Sequence, residues 1–283
     1  MKNSKNCYMT LLLLAIIALG FAQAQESMRL QYKFQKGKTY MFKAASSGES
    51  TQEAMGREMK MSSSFNLVAR VVVEDVLADG GMILTISADS AVSRSKNPMM
   101  DTTMNLTYMV GKKMRVTLSP VGNVKNREVI DSVRYESRGV VGRVPQREVM
   151  GFLPLPEKPV KMGEKWTQSK VDTTESMGGK NISTSDIEYT LVGTEDKLGH
   201  KCLKIVYAGK TTITGRSSRM GMEMFTEGDG KTSGTIFFDL KQGVVIVSEK
   251  EDQNEMTMAM TGQQNMTIPM SSTNKSTQVL LEK

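Results

Sequence analysis

The sequence is poor in the residues that most often build reactive centres. It has one histidine, one tryptophan and two cysteines in 283 residues. A structural zinc site needs three or four converging His, Cys or carboxylate ligands, and His200 with Cys202 cannot supply the His/Cys share. Cys7 lies in the N-terminal region, so Cys202 is left alone and no internal disulfide framework is available. A lone thiol within Cys202-Leu-Lys-Ile-Val-Tyr207 reads as a buried strand residue, and His200, in Leu198-Gly199-His200-Lys201, as a turn residue. There is no Gly-x-Ser-x-Gly elbow, and the Gly-rich stretches lack the Gly-Lys-Ser/Thr ending of a phosphate loop. Carboxylate pairs such as Glu74-Asp75, Glu195-Asp196 and Glu251-Asp252 fall at strand ends, where solvated charge is normal. The net charge of +7 comes from scattered Lys and Arg, with no dense basic run beside aromatics, which argues against a nucleic-acid groove. These absences point away from an enzyme and imply no cofactor and no metal centre. Proline is scarce, with seven residues, and apolar residues recur regularly, so the chain is expected to fold.

Long apolar runs are also missing, with one exception. Leu11 to Leu19 is apolar throughout, preceded by Lys2 and Lys5 and followed by Ala22-Gln23-Ala24. That order is a secretory signal peptide cut before Gln25. The run is too short for a spanning helix, which needs about 20 apolar residues. Cys7 precedes the run, so a lipoprotein acceptor is not expected. The expectation is export to the periplasm or cell surface, soluble after cleavage, with no membrane span.

What the sequence does contain is period-two alternation. Leu30, Tyr32 and Phe34 alternate with polar residues, as do Met114, Val116 and Leu118, and Ile187, Tyr189 and Leu191. Asp79-Gly80-Gly81, Gly228-Asp229-Gly230 and Lys241-Gln242-Gly243 read as hairpin turns. The fold class is therefore all-β and mostly antiparallel, in curved sheets or open barrel-like halves. One short helix is predicted over Arg127–Ser137, with Val129, Ile130 and Val133 on one face. The chain also repeats itself. Gly37, Gly80 and Gly122 correspond to Gly163, Gly199 and Gly243, at offsets of 126, 119 and 121. The organisation read from this is a leader at 1–24, a β module at 25–150, a Pro-rich connector at 151–161 and a related module at 162–283. A strand–turn rhythm common to all β proteins is the competing explanation. The prolines of Gly151-Phe-Leu-Pro-Leu-Pro-Glu-Lys-Pro-Val160 exclude this connector from a sheet interior, and its Phe and Leu are expected to tuck into a groove between the modules.

Methionine is the unusual abundance, 24 residues in all, with Met1 and Met9 in the leader. It falls in Met59-x-Met61, Met220-x-Met222-x-Met224 and Met256-x-Met258-x-Met260. On a strand this spacing sends each set to one face. Three readings compete: ordinary core filling, an adaptable apolar cavity for acyl chains or peptide segments, and capture of Cu(I) by soft thioethers. Met220, Met222, Met224, Met256, Met258 and Met260 are the candidate ligand-binding residues.

The stretches Pro154-Leu-Pro-Glu-Lys-Pro-Val-Lys-Met-Gly-Glu-Lys-Trp166 and Phe237-Phe-Asp-Leu-Lys-Gln-Gly-Val-Val-Ile-Val-Ser248 resemble secreted β-rich bacterial proteins of unknown function, common in Bacteroidota. The resemblance implies a linker and strand at the first stretch, a strand, Gly turn and returning strand at the second, and no activity to carry over. The pattern is also loosely similar to periplasmic lipoprotein-carrier folds. The function these readings support first is an exported non-enzymatic binding or carrier protein with an apolar, Met-rich cavity or groove for a lipophilic ligand or partner segment. The alternative is a structural or interaction protein of the cell envelope with a solid core. The partners implied are a lipophilic ligand or an envelope protein.

Overall fold

The computed structural model describes residues 27–54, 56–131, 133–137, 140–144, 152–176, 179–219, 222–261 and 265–281. The leader expected at residues 1–24 lies outside the described residues. The chain runs through β1 (Thr39–Ala54), β2 (Arg57–Val76), β3 (Met82–Asn97), β4 (Met100–Asn105), a 3-10 turn at Thr107–Met109, β5 (Lys113–Leu118) and β6 (Val124–Val129). It continues through β7 (Val133–Ser137), β8 (Val140–Val144), β9 (Lys165–Ser176), β10 (Gly179–Lys197), β11 (His200–Arg219), β12 (Met222–Asp239), β13 (Val244–Thr261) and β14 (Met266–Leu281). The architecture is all-β, as the alternation requires.

Twelve strands form one antiparallel sheet in the order β6-β5-β3-β2-β1-β14-β13-β12-β11-β10-β9, with β4 branching from β3. The strands before the Pro-rich connector fill one end and those after it fill the other. β14 joins them, pairing β13 on one side and β1 on the other. β7 and β8 form a separate two-stranded ribbon.

The predicted helix over Arg127–Ser137 is absent. Residues 127–129 complete β6, which pairs with β5, and residues 133–137 form β7. The expected apolar face has nothing to pack on: Val129 and Ile130 are 52% and 41% exposed. A helix this short is marginal without packing. β-branched Val124 and Val129 instead suit the ladder that the edge of β5 offers, and Val133 pairs with Val144 in the β7–β8 ribbon.

The core occupies one end of the long strands. Phe42, Leu67, Ala69, Leu84, Ile86, Leu191, Ile205, Ile236 and Phe238 are buried there. Two extended segments lie over them. In residues 27–36, Leu30, Tyr32 and Phe34 are buried, as the alternation predicts, but the segment joins no ladder beyond the single bridge from Met28 to Val160. In the connector, Leu155 is buried, and Phe152 and Leu153 pack against the core. Tyr32 N–H donates to Pro120 O, Lys33 N–H to Gly243 O and Leu155 N–H to Val121 O, so the turns β5–β6 and β12–β13 clamp these segments. Leu153 N–H donates to the Tyr32 hydroxyl at 3.1 Å, and that hydroxyl donates to Leu153 O at 3.0 Å. Tyr32, Phe34, Phe152 and Phe238 meet through stacked and edge contacts with centroids 5.6 to 6.1 Å apart.

Gly122 and Gly243 hold the two clamping turns in left-handed conformations, with φ of 86° and 63°. A Cβ at Gly122 would stand 2.5 Å from Leu153 O and 2.8 Å from the Tyr32 ring. At Gly37, also left-handed at 78°, it would meet nothing within 4 Å. Gly37→Ala should therefore cost about 1–2 kcal/mol of backbone strain alone. Gly122→Ala should cost roughly 1–3 kcal/mol more from the clash. Urea denaturation of the two variants measures the difference; equal losses would break the clamp assignment.

Candidate functional site

Beyond the core the long strands continue, and one face of them carries the methionines. No register shift interrupts β1 with β2 or β1 with β14, so Gln52 shares the face of Phe42. On that face Met59 lies opposite Gln52, Gln52 opposite Met270, and Met270 opposite Met256. Met258 lies opposite Ile268, and Met224, Met260 and Met266 form one lateral row across β12, β13 and β14. Met222 shares the face by its two-residue spacing from Met224. Of the residues predicted from sequence, five come together here: Met222, Met224, Met256, Met258 and Met260. Met220 lies outside the described residues. The alternation also carried Met59 and Met61, but Met266 and Met270 were missed because Thr267, Ile268 and Pro269 interrupt their pattern.

These methionines are not core. Among the described residues Met82 and Met114 are the buried methionines. The stripe residues are half-buried, with Met222 40% exposed. A polar belt divides them from the core on the same face: Ser46, Gly48 and Ser50 on β1, Ser272, Asn274 and Ser276 on β14, and Asn254 on β13. Asn274 lies over Gly48 and Asn254 over Gly230, where a Cβ would stand 2.0 and 2.3 Å from the amide oxygens. Met256 covers Gly228 in the same way, its Cγ 2.7 Å from that position. Gly228-Asp229-Gly230, expected from the sequence to be a hairpin turn, instead lie inside β12, where glycine makes room for the side chain opposite, and Met256 lies flat across them.

The other face is polar and carries the troughs. One, of about 600 Å³, includes Ser47, Ser64, Ser233, Thr235, Glu249 and Lys275. The next, of about 720 Å³, includes Glu53, Glu58, Thr212, Glu227, Asp229 and Glu255, with Met256 and Met270 at its margin. Residues from β2 to β11 share the second trough, so the sheet curls across six strands.

The one histidine sits at a hairpin end. Leu198 and Gly199 form a two-residue turn with φ of 50° and 81°, and Lys197 pairs with His200. The buried Asp239 carboxylate stands 3.0 Å from His200 Nδ1 and accepts the N–H groups of Lys241 and Gln242 at 2.8 and 2.9 Å. His200 thereby ties the β10–β11 hairpin to the β12–β13 turn. Cys202 is buried, and burial, then Asp239, Asp196 and Glu195, push its thiol up to about 11. A thiol held protonated is a poor nucleophile.

The family of unknown function DUF6263 matches residues 149–245. That span holds the whole of the 154–166 stretch and most of 237–248. No curated protein matches. Among solved structures, Pseudomonas aeruginosa OpdQ aligns at 7% identity and TM-score 0.29, over 87% of this chain and all of that one. Pseudomonas aeruginosa OccK2 (OpdF) aligns at 5% and 0.27, over 89% and 100%. The COG4313 outer membrane channel from Pseudomonas putida F1 aligns at 9% and 0.25, over 92% and 98%. Alignments at that level establish neither a shared fold nor a shared role. No described helix is long and apolar enough to cross a membrane, a statement that does not extend to strands.

Two outcomes test the hairpin corner. Asp239→Ala removes the buried acceptor of two part-buried turn N–H groups and should lower stability by about 1 kcal/mol or more, read by urea denaturation. Cys202 should resist iodoacetamide at pH 8 in the native protein and react fully in urea; rapid native alkylation would contradict the buried, protonated thiol.

Proposed function

We propose that this chain is an exported, non-enzymatic binding or carrier protein that offers the methionine face of its open sheet to a lipophilic ligand. The observation that carries the reading is the register, which gathers Met59, Met222, Met224, Met256, Met258, Met260, Met266 and Met270 with Ile268 on one half-buried face apart from the core. Flexible, polarisable thioethers suit apolar ligands of variable shape. A contiguous apolar patch on a protein surface marks an interaction site more often than chance exposure. The leader supports export. The two halves on either side of the Pro-rich connector are copies of one module in this reading, which the matching turns at Gly122 and Gly243 support.

A second reading, a structural or interaction protein of the envelope with a solid core, is favoured by a different observation. The troughs are lined mainly by Ser, Thr and charged residues, with Met256 and Met270 at the margin of the second.

A fluorescent fatty acid titrated into the full chain separates the two. Saturable binding is expected, weakened more than about tenfold when Met258→Lys and Ile268→Lys place two cations at the centre of the face. Absence of saturable binding, together with no lipid on protein purified from its own host by native mass spectrometry, would leave the structural reading.

A further inference from the structure

We infer that the lateral row Met224, Met260 and Met266 is a binding site for Cu(I) or another soft monovalent cation. The row goes beyond the lipophilic-ligand reading and does not depend on it. Direct register places Met224 opposite Met260 and Met260 opposite Met266, on three adjacent antiparallel strands. Cβ atoms of such pairs lie about 5 Å apart. Each methionine adds three rotatable bonds beyond Cβ or leading to it, enough for three sulfurs to close on one ion. All three side chains are half-buried, so the ion would be partly shielded from water while remaining reachable.

The donor set decides the class of metal. Thioethers are soft ligands and select Cu(I) over hard divalent ions. Among the described residues the row's neighbours on this face are Ser217, Met222, Thr226, Met258 and Ile268, with no carboxylate. The nearby acids point away: Glu223, Glu227 and Glu255 alternate with Met224, Gly228 and Met256 and belong to the opposite face. Among the described residues no group of three or more His, Cys, Asp and Glu could hold a metal ion. A hard cation therefore finds no oxygen-rich alternative at the row, whereas a soft one finds three sulfurs. The row Met256 and Met270 is different in kind: Gln52 follows Met270, so only two sulfurs are adjacent there.

The test is an anaerobic titration of the full chain with Cu(I) against a chromogenic Cu(I) chelator. One equivalent is expected to transfer to the protein. Met224→Leu, Met260→Leu and Met266→Leu together keep apolar volume and remove the sulfurs, and should weaken Cu(I) binding at least about tenfold. Far-UV circular dichroism and the urea midpoint of the same triple variant should match those of the unmodified chain, so loss of the metal is read separately from loss of the fold. A second triple variant, Met256→Leu, Met258→Leu and Met270→Leu, should hold Cu(I) within about twofold of the unmodified chain. Cys202 is present throughout and cancels. The assignment is overturned if the unmodified chain takes no Cu(I) from the chelator, if the first variant binds as well as it does, or if the second loses as much as the first.

Discussion

The fold depends on the meeting of Tyr32 with Leu153. One buried hydroxyl accepts the Leu153 N–H and donates to the Leu153 carbonyl, so both polar groups of a backbone unit over the core are satisfied by one side chain. Burial pushes the ionisation of Tyr32 far above the ordinary tyrosine range, which keeps the proton that this exchange requires. The two residues are 121 positions apart, and they pin the N-terminal segment to the Pro-rich connector. Once joined, the pair closes the apolar end of a sheet whose strands come from both halves of the chain. A single-layer sheet with that face open would expose Phe42 and Phe238 to water.

The rest of the sheet follows from where that cover stops. Past the reach of the two segments the strands have no second layer among the described residues, and the sequence changes character. Ser, Thr, Asn and Gly form a belt, and amide side chains lie over glycines of the next strand. Beyond the belt the face turns to methionine, while its reverse carries acids, Ser and Thr around the troughs. The two faces therefore offer different chemistry: thioether and aliphatic on one, carboxylate and hydroxyl on the other. A residue shift of one in β13 would exchange Met256, Met258 and Met260 for Glu255, Thr257 and Ala259.

Much of this was legible before any coordinates. Alternation in 114–118 and 187–191 required strands, and the short apolar Val129-Ile130 pair misled only because periodicity cannot separate a brief helix from a brief strand. Edge pairing by β5 decided that segment. Likewise, Leu30, Tyr32 and Phe34 alternate as a strand does, yet they cover the sheet instead of joining it. Alternation reports which side chains are buried; it does not report whether the backbone's partners are a ladder or two turns. The Met-x-Met spacing predicted which residues share a face of their own strand.

What the sequence determined by itself was local: strand class, turn positions at Gly80, Gly199 and Gly243, the scarcity of reactive side chains, and the one-sidedness of each methionine stripe. Those follow from backbone geometry and composition, which act within a few residues. Only the tertiary structure decided that β14 lies between β13 and β1, and hence that stripes from β2, β12, β13 and β14 form one band. Cross-strand register is a long-range choice, set by side-chain burial at the core end and propagated along strands of 16 to 20 residues. That propagation aligned Met224, Met260 and Met266, which no reading of one strand at a time could bring together.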